Sequence, residues 1–222
     1  MATDRATTSP DALMLKGKQC PYCPTVLQAL EQLAGSGDIG KLESYFIEEN
    51  PDLAEELGVR SVPWVRIGPF ELEGLRSAKE LREWANRAGS TRGMADYFNE
   101  LLSTGHVDKA LKIIHADHTS AAALLLLFED PDTQLNTRIG ISAIMEELEG
   151  SDLIASLTDR LGLLSQHEDE RVRGDAIHYL SLTRSKDAVP FIESRLNDES
   201  AGIREIVQES LEILLEELKA ND

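Results

Sequence analysis

The chain has 222 residues, of which 41% are hydrophobic, and its formal net charge is −18, with a sequence pI near 4.6. This length favours two modest domains, and the apolar content is sufficient for a packed core in each. The acidic balance excludes the clustered basic surface that nucleic-acid binding requires and favours a basic partner over an acidic one. Adaptation to elevated salt is an alternative explanation of the charge.

The longest apolar run, residues 121–128, is too short to cross a bilayer, and the N-terminal segment lacks the apolar core of a secretory signal. The sequence therefore predicts a soluble, cytoplasmic protein with neither a membrane nor a nucleic-acid partner. Its two cysteines are Cys20 and Cys23. In a reducing compartment, such a closely spaced pair is more often catalytic or metal-binding than structural.

The polar residues 1–10 predict a disordered N-terminus, and residues 11–89 predict a first domain of strands and helices. Apolar runs indicate four strands, over residues 12–15, 41–48, 59–67 and 70–73. Helical spacing indicates three helices, which begin at the cysteine motif, at Asn50-Pro51 and after Ser77, where Glu80 completes a capping box. The predicted order is β-α-β-α-β-β-α.

The small residues of segment 90–93 predict a linker, and residues 94–222 show only helical patterns. An offset of 35 residues aligns Arg138 with Arg173 and much of their surroundings, and a third copy begins near Arg204. These units resemble HEAT repeats, each with a helix, a turn and a second helix. The predicted fold class is therefore α/β plus all-α, with a C-terminal HEAT-like α-solenoid; an ordinary antiparallel helix bundle is the alternative.

The motif Cys20-Pro21-Tyr22-Cys23 carries the predicted chemistry. A strand followed by a helix that begins at the motif places the Cys20 sulfur at the helix N-terminus, where free amides and the helix dipole stabilise a thiolate. Cys20 is therefore the predicted nucleophile and Cys23 the resolving thiol. Lys16 and Lys18 add positive potential upstream.

Two other uses of the cysteine pair are less favoured. A zinc site needs four ligands, of which this motif supplies two. A structural disulfide closing so short a loop would add little stability. The histidines all lie in the second predicted domain, at positions His106, His115, His118, His167 and His178. We therefore predict no metal, and since no flavin or dinucleotide motif is present, no cofactor.

The strand, the helix that begins at Cys-Pro-Tyr-Cys and, about forty residues on, Val62-Pro63 entering a strand together resemble the thioredoxin superfamily. The resemblance implies a thioredoxin-like fold over residues 11–89. It also implies a cis peptide bond before Pro63, against the cysteine sulfurs, with backbone groups of Val62 presented to an extended substrate. Tyr22 and Trp64 flank this surface, and each is predicted either to form an apolar rim for the substrate or to belong to the core.

The Cys-Pro-Tyr-Cys form is typical of glutaredoxins and, with the proline that follows, is also similar to small archaeal-type thioredoxins. Glutaredoxins bind glutathione through a Gly-Gly pair, whereas Gly74 stands alone here, and Gln19 replaces the aromatic residue usual in thioredoxins. The resemblance therefore implies a thiol–disulfide oxidoreductase that acts on a disulfide of a partner protein. Its external electron donor would be a thioredoxin reductase-like enzyme or glutathione.

From Thr91 onward the chain carries 12 basic and 26 acidic side chains and no catalytic constellation. We expect this helical domain to select the partner, with a basic protein as a candidate, since the extended surface of a solenoid is a natural binding site. Dimerisation is the structural alternative. The competing functions are a non-catalytic redox-sensing adaptor, whose HEAT-like repeats bind the partner, and a chaperone-like holdase.

Overall fold

The structure is a computed structural model that describes residues 9–220. The chain divides into two compact units, residues 1–94 and 95–222. Most of the predicted disordered N-terminus lies outside the described residues. Its last two residues are held by hydrogen bonds: the Ser9 hydroxyl donates to the Gly37 carbonyl at 2.7 Å, and the Pro10 carbonyl accepts the Gly40 N–H at 2.9 Å.

The first unit has the predicted order of strands and helices. Its elements are β1 (Ala12–Lys16), α1 (Cys23–Ser36), β2 (Leu42–Phe46), α2 (Pro51–Glu56), β3 (Trp64–Ile67), β4 (Phe70–Glu73) and α3 (Ala78–Arg87). The sheet order is β2-β1-β3-β4, in which β1 pairs parallel with β2 and antiparallel with β3, and β3 pairs antiparallel with β4. This arrangement is a small mixed sheet with flanking helices.

Strand β1 lies inside the sheet and is apolar on both faces. Leu13 and Leu15 point to one face, where they pack with Trp64 and with partly buried residues of α2 and its flanks. Met14, between them, is fully buried and points to the opposite face, because side chains alternate along a strand. Burial on both faces explains why β1 reads as a continuous apolar run instead of an alternating one.

Strand β3 is shorter than predicted: it begins at Trp64 and not at Val59. Gly58 has a φ of 66° and ends α2 in a left-handed turn, so the Val59 N–H donates back to the Ala54 carbonyl at 2.8 Å. Pro63, which has no N–H, immediately precedes the strand. Residues 59–63 therefore form the connection that leads into β3.

The predicted capping box of α3 is confirmed. The Glu80 N–H donates to the Ser77 hydroxyl at 3.3 Å, and the Ser77 N–H donates to the Glu80 carboxylate at 2.8 Å. The bonds from the Ser77 hydroxyl and N–H lower the pKa of Glu80. The Trp84 ring packs on Phe70 of β4, with centroids 4.9 Å apart, so α3 is held against the sheet.

The second unit is helix-rich, and its described residues include no strand. Helix α4 (Thr91–Ser103) begins four residues before the division, and the α-helices that follow are α5 (Val107–Ala116), α6 (Ala122–Glu129), α7 (Leu135–Glu147), α8 (Asp152–Ala155), α9 (Thr158–Leu164), α10 (Glu170–Leu182), α11 (Val189–Glu193) and α12 (Ala201–Ala220). Short 3-10 turns occupy His118–Ala121 and Lys186–Ala188. Residues 91–93 of the predicted linker are the first residues of α4. Among residues 9–220, no helix combines the length and hydropathy that a bilayer span requires.

Two of the three arginines that the predicted repeat aligns make the same backbone contacts. Arg173 and Arg204 each donate to the carbonyl groups six and five residues before them, at distances from 2.6 to 3.1 Å. Each arginine therefore fastens the start of its helix to the preceding turn. Arg138 differs, since its guanidinium pairs with Asp175 at 3.0 Å.

Asp198 is the centre of a buried ionic cluster in the second unit. Its side chain is 0% exposed, accepts two bonds of 3.2 Å from Arg173, pairs with Arg195 and accepts the Ser200 N–H at 3.0 Å. Burial alone would raise the pKa of Asp198, but the Ser200 N–H and the two guanidinium groups outweigh burial and lower this pKa to about 2. The carboxylate is therefore ionised at any pH near neutrality.

This cluster predicts how acid affects the second unit. Because the folded-state pKa of Asp198 is below the unfolded value of about 4, its stabilisation is present above about pH 4 and is lost as the pH falls towards 2. We expect Asp198→Asn to lower the free energy of unfolding at pH 7 by about 3 kcal/mol, since the buried Arg173 then keeps only the exposed Glu199 carboxylate, at 3.7 Å, as a counter-charge. Urea unfolding between pH 2 and pH 7 measures both effects.

Glu216→Gln is the control for this substitution, because Glu216 is an exposed carboxylate of α12. We expect the Glu216 variant to unfold within about 0.5 kcal/mol of the unmodified protein. If Asp198→Asn were equally mild, the buried cluster would not stabilise the fold.

Candidate functional site

The two cysteines lie where β1 passes into α1. A turn follows the strand, in which the Cys20 N–H donates to the Gly17 carbonyl at 3.2 Å, and α1 then begins at Cys23. Pro24 lies in the first turn of this helix, where a missing N–H costs nothing. The cysteines form a disulfide, with Cα atoms 5.5 Å apart. The predicted helix start at the motif is therefore confirmed.

The two sulfurs differ in exposure and in hydrogen bonding. Cys23 is 3% exposed, whereas Cys20 is partly exposed, so Cys20 is the sulfur that a partner reaches. The Cys23 N–H donates to Cys20 Sγ at 3.1 Å, and no side chain caps this end of α1. A helix N-terminal amide directed at the sulfur favours its negatively charged form. This asymmetry suits an attacking Cys20 and a resolving Cys23.

The Val62–Pro63 segment lies beside the disulfide. The peptide bond between these residues is cis, as the family resemblance implies. The Val62 carbonyl oxygen is 3.7 Å from Cys20 Sγ, a contact that becomes a weak hydrogen bond when the sulfur carries a proton. Pro63 is buried, and its carbonyl accepts the Gly74 N–H at 2.9 Å, which ties the segment to the end of β4.

Of the two roles predicted for Trp64, a substrate rim or the core, the structure favours the core. Trp64 is 1% exposed, because it is the first residue of β3, pairs with Leu15 and packs in the core with Leu13. Tyr22, by contrast, is 55% exposed and immediately precedes Cys23. Leu75, which the sequence analysis did not single out, is 54% exposed and follows the Gly74 that binds Pro63. The sequence signal that could have identified Leu75 is an apolar residue two positions after a strand, in an otherwise polar turn.

Gly17 permits the close approach of the three segments that meet at the site. A Cβ atom at this position would lie 3.1 Å from Cγ2 of Val62, 3.5 Å from Cβ of Cys20 and 3.5 Å from Oε1 of Glu48. The absence of a side chain therefore lets the end of β1, the Val62 segment and the end of β2 pack together. Sequence analysis did not identify Gly17 or Glu48, since neither belongs to a recognisable motif.

The lysines that were expected to add positive potential have partners. Lys18 Nζ lies 2.8 Å from the Glu49 carboxylate, and this hydrogen bond raises the pKa of Lys18. Lys16 Nζ donates to the Ser44 hydroxyl at 3.0 Å and lies 4.6 Å from the centre of the Phe46 ring. The Glu49 carboxylate offsets the charge of Lys18, whereas Lys16 keeps its positive charge.

The site offers sulfur and backbone groups and little else. Among residues 9–220, no three His, Cys, Asp or Glu side chains are grouped as ligands of a metal ion. In the described part of the first unit, no buried side chain carries a charge. Two sulfurs of unequal exposure, a helix amide and a carbonyl group are a suitable set for thiol–disulfide exchange.

The close approach at Gly17 predicts a defect that is local to the site. We expect Gly17→Ala to slow the reaction of reduced Cys20 with a small aromatic disulfide about fivefold, because the added methyl displaces Val62 or Cys20 by a few tenths of an ångström. Stopped-flow absorbance of the released thiolate measures this rate.

Gly35→Ala is the matched control, since Gly35 lies in α1 and a Cβ atom there meets nothing within 4 Å. This variant should keep the rate and raise the free energy of unfolding by about 0.5 kcal/mol, because alanine is the better helix former. Equal rates for the two alanine variants would show that the approach at Gly17 does not matter for reactivity.

Comparison with known proteins agrees with the geometry of the first unit. A family model described as thioredoxin domain matches residues 13–86. No curated protein matches the chain. The match begins within β1 and ends within α3, so it includes both cysteines and Pro63. Residues 13–86 are therefore a thioredoxin-like domain with a Cys-x-x-Cys pair, followed in the same chain by a helix-rich unit.

Proposed function

We propose that this protein is a thiol–disulfide oxidoreductase that reduces or exchanges a disulfide of a partner protein. The observation that carries the proposal is the unequal pair of sulfurs. Cys20 is partly exposed and accepts the Cys23 N–H at 3.1 Å, while Cys23 is 3% exposed. Such a pair provides one sulfur for attack and a second, protected sulfur for resolution.

The exchange has two steps, and the electrons balance between the two proteins. In the first, the Cys20 thiolate attacks one sulfur of the target disulfide, so that a Cys20–target bond forms, the target disulfide breaks and the leaving sulfur takes a proton from water. In the second, the Cys23 thiol gives its proton to water and attacks Cys20 Sγ. The Cys20–Cys23 bond forms, the mixed disulfide breaks and the leaving target sulfur takes a proton from water, so the target is released as a dithiol.

Each turnover transfers two electrons to the target and leaves Cys20 and Cys23 oxidised. An external donor must then restore the dithiol, and a thioredoxin reductase-like enzyme and glutathione are the two candidates. The chain supplies no other cysteine for this purpose. Because both cysteines belong to this pair, we place the reaction in a reducing compartment such as the cytoplasm.

The surroundings of Cys20 support a polypeptide substrate. The Val62 carbonyl lies 3.7 Å from Cys20 Sγ, so the backbone of an extended chain could pair with this segment while its sulfur reaches Cys20. Tyr22 and Leu75 are each more than half exposed and offer apolar contact near the site. Gly74 lacks the second glycine of a glutathione-binding pair, which favours protein disulfides over glutathione mixed disulfides.

We further propose that the second unit is a HEAT-like α-solenoid that selects a basic partner. The repeated bonds of Arg173 and Arg204 to the preceding turn support the repeat. From Thr91 onward the chain carries 26 acidic and 12 basic side chains, and each arginine from 95 onward already binds a carboxylate or carbonyl group. Most of the acidic surface is therefore left to attract cations.

This charge predicts a preference among substrates. We expect a disulfide peptide flanked by lysines to be reduced several-fold faster, as kcat/KM, than the same peptide flanked by glutamates at 50 mM salt, because the field of the protein concentrates cations near it. The ratio should approach one at 500 mM salt, where screening is strong. Equal rates at low salt would count against selection by charge.

The cysteines are tested by redox titration against glutathione, together with turnover of insulin disulfides. We expect a potential near or below about −220 mV, the range of cytosolic reductases. Cys20→Ser should abolish turnover, since it removes the attacking sulfur. Cys23→Ser should accumulate a covalent mixed disulfide with the substrate, because nothing then resolves the intermediate. Turnover that survives Cys20→Ser would contradict the mechanism.

A reversible pair without turnover would favour the alternative function, a redox-sensing adaptor whose helical unit binds the partner. In that case Cys23→Ser should trap no covalent partner, although non-covalent binding persists in both cysteine variants.

A further inference from the structure

Glu48 lies just beyond the end of β2 and reaches the turn that presents Cys20. The Lys18 N–H donates to Oε1 of Glu48 at 2.9 Å, across 30 residues of chain. The same oxygen lies 3.5 Å from the position that a Cβ atom of Gly17 would occupy, and Cβ of Cys20 lies 3.5 Å from that position. The carboxylate is therefore at most twice this distance from Cys20.

Few hydrogen bonds other than this one hold the backbone of the turn, although its side chains are held by the Cys20–Cys23 disulfide and by the ion pair of Lys18 with Glu49. After β1 ends at Lys16, the chain makes one internal bond, from the Cys20 N–H to the Gly17 carbonyl, before α1 begins. The bond to Glu48 joins the backbone of this turn to the segment that follows β2. A charged acceptor makes a stronger bond to an amide than a neutral one does. This bond therefore fixes where the turn, and with it the Cys20 sulfur, lies relative to the amide of Cys23.

The carboxylate is itself fixed. Its own backbone N–H and that of Lys18 both donate to it, and these bonds lower the pKa of Glu48, which keeps it ionised near neutrality. The neighbouring Glu49 has a different task, since it pairs with the Lys18 ammonium group at 2.8 Å. Two adjacent carboxylates thus bind one residue, one at its backbone and one at its side chain.

We propose that Glu48 is a positioning residue for the Cys20 sulfur: by holding the Lys18 N–H, it sets the turn that places Sγ on the first amide of α1. This inference rests on the proposed function only in taking Cys20 as the nucleophile. The inference predicts that the hydrogen bond to Lys18 lowers the pKa of Cys20. The negative charge of Glu48 acts in the opposite direction, because a carboxylate disfavours a nearby thiolate.

The other charged groups around the site are few. Lys16 and Lys18 come from β1 and the turn, and Glu49 comes from the segment after β2. The first turn of α1 holds no acidic residue. Arg60 and Glu73 are exposed residues of the segments that lead to Val62 and to Gly74. None of these charged groups is altered in the variants compared below, except Glu49 in its control variant.

The test uses two pairs of variants in the full chain, matched in charge. Glu48→Gln keeps an acceptor of the same reach, whereas Glu48→Ala removes it, and both are neutral. The unmodified protein and Glu48→Asp are both charged, but the aspartate is one methylene too short to reach the Lys18 N–H. The readouts are the pH titration of the Cys20 thiolate at 240 nm and the rate of its alkylation by iodoacetamide at pH 7.

Within each pair, we expect the variant without the bond to have a Cys20 pKa about one unit higher, which is a tenfold smaller fraction of thiolate at any pH well below both pKa values. In that pH range its alkylation should slow only about threefold, because the more basic thiolate is the better nucleophile. Glu49→Gln should leave the rate within twofold of the unmodified protein, since it removes the ion pair and keeps the backbone bond.

Equal titration curves within each pair would overturn the proposal. This holds even if the neutral pair differs from the charged pair, because such a difference would be an effect of charge alone. If Glu48→Ala does not fold, the aspartate pair decides. Because the experiment measures the Cys20 thiolate and not turnover, the role of Glu48 and the proposed oxidoreductase function can be rejected independently. A normal pattern of thiolate pKa values without insulin reduction would retain the role of Glu48 and reject the proposed function.

Discussion

The pairing of β1 with strands on both sides is the constraint on which the site depends. Its parallel register with β2 places Lys16 opposite Phe46, and its antiparallel register with β3 places Leu15 opposite Trp64. The residues just beyond each of these pairs must therefore meet at one edge of the sheet. Those residues are Gly17, Glu48 and Val62: side-chain atoms of Val62 and Glu48 both lie within 3.5 Å of the position that a Cβ atom of Gly17 would occupy. A one-residue slip of either register would separate them.

The site achieves its polarity with backbone groups, whereas the second unit uses buried charges. At the cysteines, a helix amide and a carbonyl contact the sulfur, and no buried side chain of the described first unit is charged. In the second unit, a fully buried Asp198 is held by two arginines. A backbone dipole costs little to desolvate because it is already bonded within its helix, while a buried carboxylate needs several partners. The buried carboxylate therefore makes stability sensitive to acid, whereas the backbone groups at the sulfur do not titrate.

Sequence reasoning could predict the features that have local signatures. The cysteine motif opens a helix, Ser77 and Glu80 form a capping box, and apolar runs identify the strands because each signal occupies a few adjacent residues. Trp64 was ambiguous because its burial depends on which face of β3 meets the core. Gly17 and Glu48 could not be found, since their importance arises from segments 30 or more residues apart that the sheet brings together. The boundary of β3 was missed because Val59 is bonded to α2 and not to a strand.

The chemistry and the surface charge of this chain respond to different conditions. Cys20 forms a thiolate only at a pH high enough to deprotonate its thiol. The Cys23 amide, 3.1 Å from Cys20 Sγ, favours the thiolate and does not itself titrate. The Asp198 cluster loses its stabilising effect only far below neutrality, since its pKa is about 2. Salt, in contrast, screens the exposed carboxylates of the second unit and leaves the short contacts at the sulfur almost unchanged. Under the proposed function, in which the second unit selects the partner and the first unit exchanges the disulfide, partner choice would vary with ionic strength while the intrinsic reactivity of Cys20 stays constant.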